Sequence, residues 1–91
     1  MASVEIFKLS EEEIEQRGIR EWPVWEKERS RFDWFYDHTE ECLLIEGEVE
    51  VETPEGVYRF GAGDYVVFRK GLKCKWKVKK PVRKHYNFLN D

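Results

Sequence analysis

The chain has 91 residues, of which 41% are hydrophobic and 38% charged, so it has room for one domain with one core. It contains no run of about 18 apolar residues, which argues against a membrane-spanning helix. The net charge is −3, but residues 65–90 hold nine basic residues and no acidic one, whereas residues 1–64 hold eighteen acidic and seven basic residues. Such an imbalance is one signature of a nucleic-acid contact.

The first 30 residues predict a strand, one short helix and an aromatic segment. Residues 4–9 form a short run typical of a strand or an extended lead-in. Ser10 and Glu13 have the spacing of a capping box, so we expect a helix over about residues 11–17. The Trp-Pro-Val-Trp segment at 22–25 is extended by its proline, and we interpret it as a lid over one end of the domain, a ligand-binding lid or a dimer contact.

From residue 31 onward, short apolar or alternating runs are separated by turn signals. The runs are 32–36, 42–45, 48–52, 57–60, 65–68, 73–79 and 82–88. Turn residues cluster at 53–56, 61–64 and 69–71, Gly47 is expected in a tight turn with positive φ, and Pro81 is expected to end a strand. Seven or eight short strands at this spacing predict an all-β sandwich or small barrel, with one buried and one exposed face.

Two stretches resemble the sequence motifs of the cupin family. Residues 40–47, followed by Glu-Val-Glu-Val, are similar to the second half of the motif G-x5-H-x-H-x3,4-E-x6-G. Residues 63–74 are similar to G-x5-P-x-G-x2-H-x3-N, with Gly63 and Gly71 in register. The resemblance implies an all-β cupin fold, a double-stranded β-helix or jelly-roll barrel, here small and with one short N-terminal helix.

Over residues 5–88 the chain resembles the small single-domain RmlC-like cupins related to the ureidoglycine aminohydrolase cupin domain. The matching segments are 21–25, 32–34, 45–47, 63–64 and 84–86. We therefore expect one cupin domain over residues 1–91. Its N-terminal part, 1–30, would hold the strand, the helix and the Trp-Pro lid, and residues 31–88 would form the barrel core.

The family's metal-ligand positions depart from the usual pattern in this chain. Most active cupins bind a divalent metal through three histidines and one glutamate. The resemblance puts Trp34 and Tyr36 in place of two histidines and Cys74 in place of the third, while Glu40 is retained. Because one carboxylate and one thiol make a poor divalent site, we predict no metal and no cofactor, with Glu40 and Cys74 at most recruiting an adventitious soft metal.

The resemblance also predicts a pocket, since the family's metal ligands point into the barrel. Strand alternation adds Cys42 and Trp76, and it places Lys84 and Tyr86 on one face of the last strand. A lysine on an apolar face is costly unless it is paired or used, and Glu40 is its expected partner. The predicted ligand pocket comprises Trp34, Tyr36, Glu40, Cys42, Cys74, Trp76, Lys84 and Tyr86. The two histidines, His38 and His85, are expected to lie in a solvated turn and on the outward face.

An aromatic pocket with one carboxylate and one ammonium suits a small planar ligand. We therefore favour a metal-free cupin that binds a small organic ligand, aromatic or anionic. A desolvated lysine can also act as a base or nucleophile, so an enzyme related to ureidoglycine aminohydrolase or to other metal-dependent cupins stays open, with no catalytic residue assigned. A structural or accessory cupin with a packed barrel is the third alternative.

The charge pattern also bears on partners. The lysines of 73–79 and the glutamates of 48–52 each alternate with apolar residues, and the cupin topology makes these strands neighbours. We therefore predict cross-strand pairs such as Lys75 with Glu50, and no nucleic-acid or membrane partner. Residues 4–7 could add a strand to a second copy, so we expect a homodimer. Two cysteines without a signal or transit segment predict a reduced, cytoplasmic protein.

Overall fold

The structure of the protein is a computed structural model that describes residues 3–91. The elements in chain order are β1 (Val4–Lys8), α1 (Glu11–Gln16), a 3-10 turn (Ile19–Glu21), β2 (Val24–Lys27), β3 (Ser30–Phe35), β4 (Glu40–Thr53), β5 (Gly56–Gly61), β6 (Asp64–Phe68) and β7 (Lys73–Phe88). Strands dominate and the helix is short, so the predicted all-β class with one N-terminal helix is confirmed.

The strands form two antiparallel layers that share β4 and β7. The main path of pairing is β1-β6-β4-β7-β2, while β5 pairs with the second half of β4 and β3 with the first half of β7. Both long strands therefore cross from one layer to the other, which closes the sheet into a small jelly-roll barrel. This arrangement puts β2, β3, β4 and β7 side by side around one end of the barrel.

The prediction of seven or eight short strands is wrong at β4 and β7, each of which spans two of the predicted runs. β4 runs without interruption past Gly47, and β7 runs past Pro81, where the sequence indicated breaks. The register between the two strands shifts around Glu46 and Glu48, so β4 bulges there and Pro81 has no residue paired with it on β4. A residue at a bulge is not paired in the ladder, so the missing N–H of proline costs no hydrogen bond there.

Gly47 is needed at this bulge and not in a turn. Its φ is +109°, as predicted, but it lies in the middle of β4. A Cβ atom at this position would come within 2.6 Å of the Pro81 carbonyl oxygen and 2.7 Å of Val82 Cα. The absence of a side chain therefore lets β4 and β7 approach closely enough to bend together.

Two apolar clusters stabilise the two sides of the sheet. The larger cluster fills the barrel and includes Tyr36, Phe68, Trp76, Val51 and Val66. The smaller cluster lies under the helix on the outer face and consists of Ile14, Ile19, Leu43, Tyr65 and Val67. The helix begins at the expected capping box, in which the Glu13 amide donates to Ser10 Oγ at 3.1 Å and the Ser10 amide donates to Glu13 Oε1 at 2.9 Å.

The N-terminal strand pairs within its own chain. In β1, Val4 lies opposite Phe68 and Lys8 opposite Asp64, so one edge of the strand is already used by β6. The other edge of β1 is the end of the sheet. Pairing with a second copy through that edge stays a prediction.

Acidic and basic residues alternate across β4 and β7, as the charge pattern indicated. The predicted partner of Glu50 is wrong, however, because the register puts Lys77 opposite Glu50 and Lys75 opposite Glu52. The Glu50 carboxylate instead bonds Arg59 at 2.9 Å and Lys79 at 3.2 Å. The hydrogen bond from Lys79 lowers the pKa of Glu50 below its usual value, despite the opposing effect of burial.

A charge exchange tests the ion pair between Glu50 and Lys79. We expect Glu50→Lys and Lys79→Glu each to lower the urea midpoint of unfolding, and the double exchange to recover part of the loss, because the two side chains form an ion pair. The matched control combines Glu50→Lys with Lys75→Glu, which should give additive losses. Additivity in the Lys79 cycle would contradict the ion pair described above.

Candidate functional site

A cavity of about 160 Å³ lies at one end of the barrel. It is lined by seven aromatic residues and two charged ones. The lining residues are Trp25, Phe32, Trp34, Tyr36, Glu40, Trp76, Lys84, Tyr86 and Phe88. They come from β2, β3, β4, β7 and the turn after β3, so the cavity exists only where these elements converge.

Six of the eight residues predicted for the pocket line this cavity, and the two cysteines do not. Cys42 is fully buried in the barrel core. Cys74 lines a separate, shallow groove together with Asp33 and Lys73. Both side chains are short and packed among core residues, so the larger rings around them form the cavity wall. The prediction that Cys42 and Cys74 belong to the pocket is therefore wrong, because neither residue lines the cavity.

Three lining residues were not in the predicted pocket. Phe32 and Phe88 each lie two residues from a predicted member on the same strand face, so strand alternation alone could have added them. Trp25 belongs to β2, which pairs with β7 so that Trp25 lies opposite Lys84. Sequence gives no signal for that pairing, because β2 and β7 are far apart along the chain.

The aromatic segment 22–25 has one tryptophan on each side of the sheet. Trp25 enters the cavity, whereas Trp22 packs against the outer cluster. The Trp22 carbonyl oxygen lies 3.1 Å from Nδ1 of His85, which is on the outer face of β7 as expected. The second half of the segment is therefore an edge strand of the sheet, and only its second tryptophan borders the cavity.

The walls of the cavity are rings in mutual contact. Phe32 stacks on Trp76 with centroids 5.9 Å apart and planes 16° apart, and Trp25 meets Trp76 edge-on at 5.8 Å. Trp76 is 2% exposed and lies deep, whereas Trp34 and Phe88 are each 45% exposed and border the mouth. The cavity therefore narrows from a solvent-accessible aromatic rim to a buried floor.

A buried ion pair forms the polar part of the floor. Lys84 Nζ lies 2.5 Å from Glu40 Oε2, and these residues are only 5% and 3% exposed. The ammonium also lies over the rings of Trp76 at 4.8 Å and Trp25 at 5.0 Å. The expected pairing of Lys84 with Glu40 is therefore present, and cation–π contacts further compensate the buried charge.

The Tyr36 hydroxyl is the second polar group at the floor. It accepts a hydrogen bond from Trp76 Nε1 at 3.2 Å. Burial, and then the negative charge of Glu40, raise the pKa of Tyr36 well above its usual value, so the hydroxyl keeps its proton. Among residues 3–91 no acceptor for that proton is found, which leaves it available to a molecule in the cavity.

The residues at the family's metal-ligand positions do not fit a divalent metal. Trp34 and Tyr36 are not metal ligands of the usual kind, and Glu40 is paired with Lys84. Burial raises the pKa of the Cys74 thiol to about 11, so this sulfur is not a thiolate near neutral pH. No cluster of three or more His, Cys, Asp or Glu side chains suited to a metal occurs within residues 3–91.

The remaining candidates lie away from the cavity. His38 is exposed in the turn after β3, with Nδ1 4.0 Å from the Asp91 carboxylate. Burial raises the pKa of Cys42 to about 12, which leaves this core thiol unreactive near neutral pH. Across the described part of the chain, no helix has the length and apolar character needed to cross a membrane.

A two-layer antiparallel barrel with a pocket at one end defines this protein as a cupin. The family model of the EutQ-like cupin domain matches residues 14–86, and the chain therefore belongs to that family. The comparisons do not show the narrower relationship to the ureidoglycine aminohydrolase cupins. No curated protein matched the chain.

Solved structures agree with this family assignment. A DUF861 family protein from Thermotoga maritima is 50% identical, with a TM-score of 0.92 over 94% of this chain and 99% of that one. The EutQ protein of Clostridium difficile is 22% identical, with a TM-score of 0.66 over 71% of this chain and 52% of that one. A putative ethanolamine utilization protein Q from Salmonella typhimurium is also 22% identical, with a TM-score of 0.66 over 93% and 68%. The last two share the fold.

Proposed function

We propose that this protein is a metal-free cupin that binds a small planar organic ligand in the aromatic cavity. The observation that carries the proposal is a cavity with seven aromatic walls and buried polar groups only at its floor. Small-molecule sites have this composition, in which apolar walls give affinity and a few polar groups fix the orientation. An enzyme of the metal-dependent cupin type has less support, because the donor set does not fit a metal.

The size of the cavity limits the ligand to about one ring. Its volume of about 160 Å³ is close to that of an engineered apolar cavity of about 150 Å³ that binds benzene. Sites for drug-sized molecules are larger, at about 300–1,000 Å³. A single planar ring can also pack against the aromatic walls by stacked or edge-on contacts, which the rings of the cavity already make with one another.

The floor favours a ligand with a carbonyl or carboxylate oxygen. Tyr36 and Lys84 supply N–H and O–H donors at the floor. Glu40 already compensates the charge of Lys84 and would repel a second anion at short range. We therefore expect a neutral aromatic carboxamide to bind more tightly than the carboxylate of the same ring.

Tryptophan fluorescence tests the proposal, because Trp25, Trp34 and Trp76 all line the cavity. Titration with benzamide, benzoate and phenyltrimethylammonium compares one ring with three polar groups. We expect saturable quenching by benzamide, weaker quenching by benzoate and none by the cation. Absence of saturable binding by all three compounds would favour the alternative of a packed, structural barrel.

The rim residue Trp34 provides a mutational test of the same site. Trp34→Ala should weaken benzamide binding by about 2- to 13-fold, since an aromatic contact contributes about 0.5–1.5 kcal/mol beyond its buried area. Phe35→Ala is the matched control, because Phe35 is the adjacent residue, is similarly exposed and does not line the cavity. Isothermal titration calorimetry measures both, and equal effects of the two variants would contradict the assigned site.

A further inference from the structure

We propose that Lys84 forms a covalent imine with a small aromatic aldehyde or ketone held in the cavity. This inference rests on the proposed function, because the carbonyl compound would occupy the same aromatic site. It adds a reaction to binding and assigns Lys84 as the nucleophile.

Lys84 differs from the other lysines of the chain in its position. The sequence contains nine lysines, and Lys84 is the one that is buried in the structure. Its amine is at the floor of the cavity, where Phe32, Trp76 and Lys84 all line the same space. A buried ion pair is weak evidence for a stabilising role, since apolar residues of similar volume are often as stable. A chemical use of the amine accounts for a lysine at this point of the cavity wall.

Glu40 is placed to move the protons that imine formation requires. Transfer of one proton across the 2.5 Å between Nζ and Oε2 converts the ammonium–carboxylate pair into an amine and a carboxylic acid. The amine lone pair then attacks the carbonyl carbon, and the carbonyl oxygen takes the proton of Glu40. The carboxylate next removes a proton from the attached nitrogen, which gives a neutral carbinolamine and restores the acid.

The second stage releases water. The Glu40 acid protonates the carbinolamine hydroxyl, which leaves as water while the nitrogen lone pair forms the C=N bond. The product is a protonated imine paired with the Glu40 carboxylate, so the site begins and ends with one positive and one negative charge. Net, one water is formed from the carbonyl oxygen and two protons of the lysine ammonium, and no oxidant or reductant is needed.

Tyr36 and the aromatic walls support both stages. The Tyr36 hydroxyl has its acceptor position filled by Trp76 Nε1, and its proton can hydrogen-bond the carbonyl oxygen and polarise it. The rings around Lys84 restrict water, which would otherwise hydrolyse the imine. The same rings that bind the ligand therefore protect its covalent adduct.

Reductive trapping tests this inference. The protein is incubated near neutral pH with a limiting amount of benzaldehyde and sodium cyanoborohydride, which reduces a protonated imine in preference to the free aldehyde, and the modified lysine is located by peptide mass mapping. We expect Lys84 to be benzylated before the exposed lysines, and an excess of benzamide to suppress the modification at Lys84 alone. Modification of the exposed lysines with Lys84 unmodified would overturn the inference.

Glu40→Gln separates a catalytic carboxylate from a structural one. Glutamine keeps a hydrogen-bonding oxygen beside Lys84 but cannot exchange protons, so trapping at Lys84 should slow by about 100-fold or more. Circular dichroism and urea unfolding of this variant, compared with the wild type, show whether the barrel is folded under the conditions of the reaction. Trapping at the wild-type rate in the folded variant would remove Glu40 from the reaction.

The two proposals fail in different ways. Saturable benzamide binding without modification of Lys84 leaves the binding function intact and refutes the imine. Absence of both binding and modification refutes the two proposals together. A second control carries Lys84→Met with Glu40→Leu, in which the cavity keeps its rings and no modification at position 84 is expected.

Discussion

Replacement of Lys84 by methionine is expected to lower the free energy of unfolding by about 3–5 kcal/mol, because it leaves the Glu40 carboxylate buried without a partner. Both residues are nearly inaccessible to solvent, and Lys84 is the basic residue that contacts Glu40. Small domains have about 5–15 kcal/mol of stability in total, so this loss is a large fraction. Urea denaturation followed by tryptophan fluorescence measures it.

The double variant with Glu40→Leu provides the control. Methionine and leucine have volumes similar to the residues they replace, and together they remove both charges from the floor of the cavity. We expect the double variant to recover most of the lost stability, since an apolar pair often replaces a buried ion pair at little cost. Losses that simply add would mean that the two side chains are not coupled as the structure indicates.

Gly47→Ala is the second change with a large expected effect. A Cβ atom would clash with the backbone of β7 at 2.6–2.7 Å, and the φ of +109° is unfavourable for any residue with a side chain. We expect a loss of about 3–5 kcal/mol or a failure to fold, because the clash is with backbone atoms and no flexible side chain can yield. Thermal unfolding followed by circular dichroism measures the change.

Gly71→Ala is the control that measures the cost of a positive φ without a steric clash. Gly71 has a similar φ of +94°, but nothing lies within 4 Å of the place its Cβ would occupy. Its amide donates to the Tyr36 carbonyl oxygen at 2.7 Å, a bond that alanine can retain. We expect a loss of only about 1–2 kcal/mol from the strained φ. Equal losses at the two glycines would show that the close approach of β4 and β7 does not matter.

The fold could be predicted from sequence because its signals are local. The capping box of Ser10 and Glu13 defined the start of α1, and the alternation of glutamates and of lysines identified two strands, which the resemblance to cupins placed side by side. The lengths of β4 and β7 could not be predicted in the same way. A glycine and a proline each indicate an interruption when seen alone, and only their contact across the bulge shows that both strands continue.

The candidate site was predictable in part, for a related reason. Alternation along one strand places Lys84 and Tyr86 on one face, and the resemblance to cupins placed Trp34, Tyr36 and Glu40 near them. The depth of a side chain is not a property of its own strand. Cys42 has the expected orientation but ends in the core, because the surrounding rings extend further than a thiol does.

The amino-acid pattern alone was enough to predict the all-β class and the start of the helix, because both depend on local periodicity and capping. The pairing of Lys84 with Glu40 followed from the cost of burying a lone charge together with the resemblance to cupins, which placed Glu40 inside the barrel. Three-dimensional pairing was needed to show that Trp25 completes the wall beside Lys84, that Glu50 faces Lys77, and that the cavity has a volume of about 160 Å³. These features depend on registers between strands far apart in the chain, and a shift of one residue in a register moves every side chain to the opposite face.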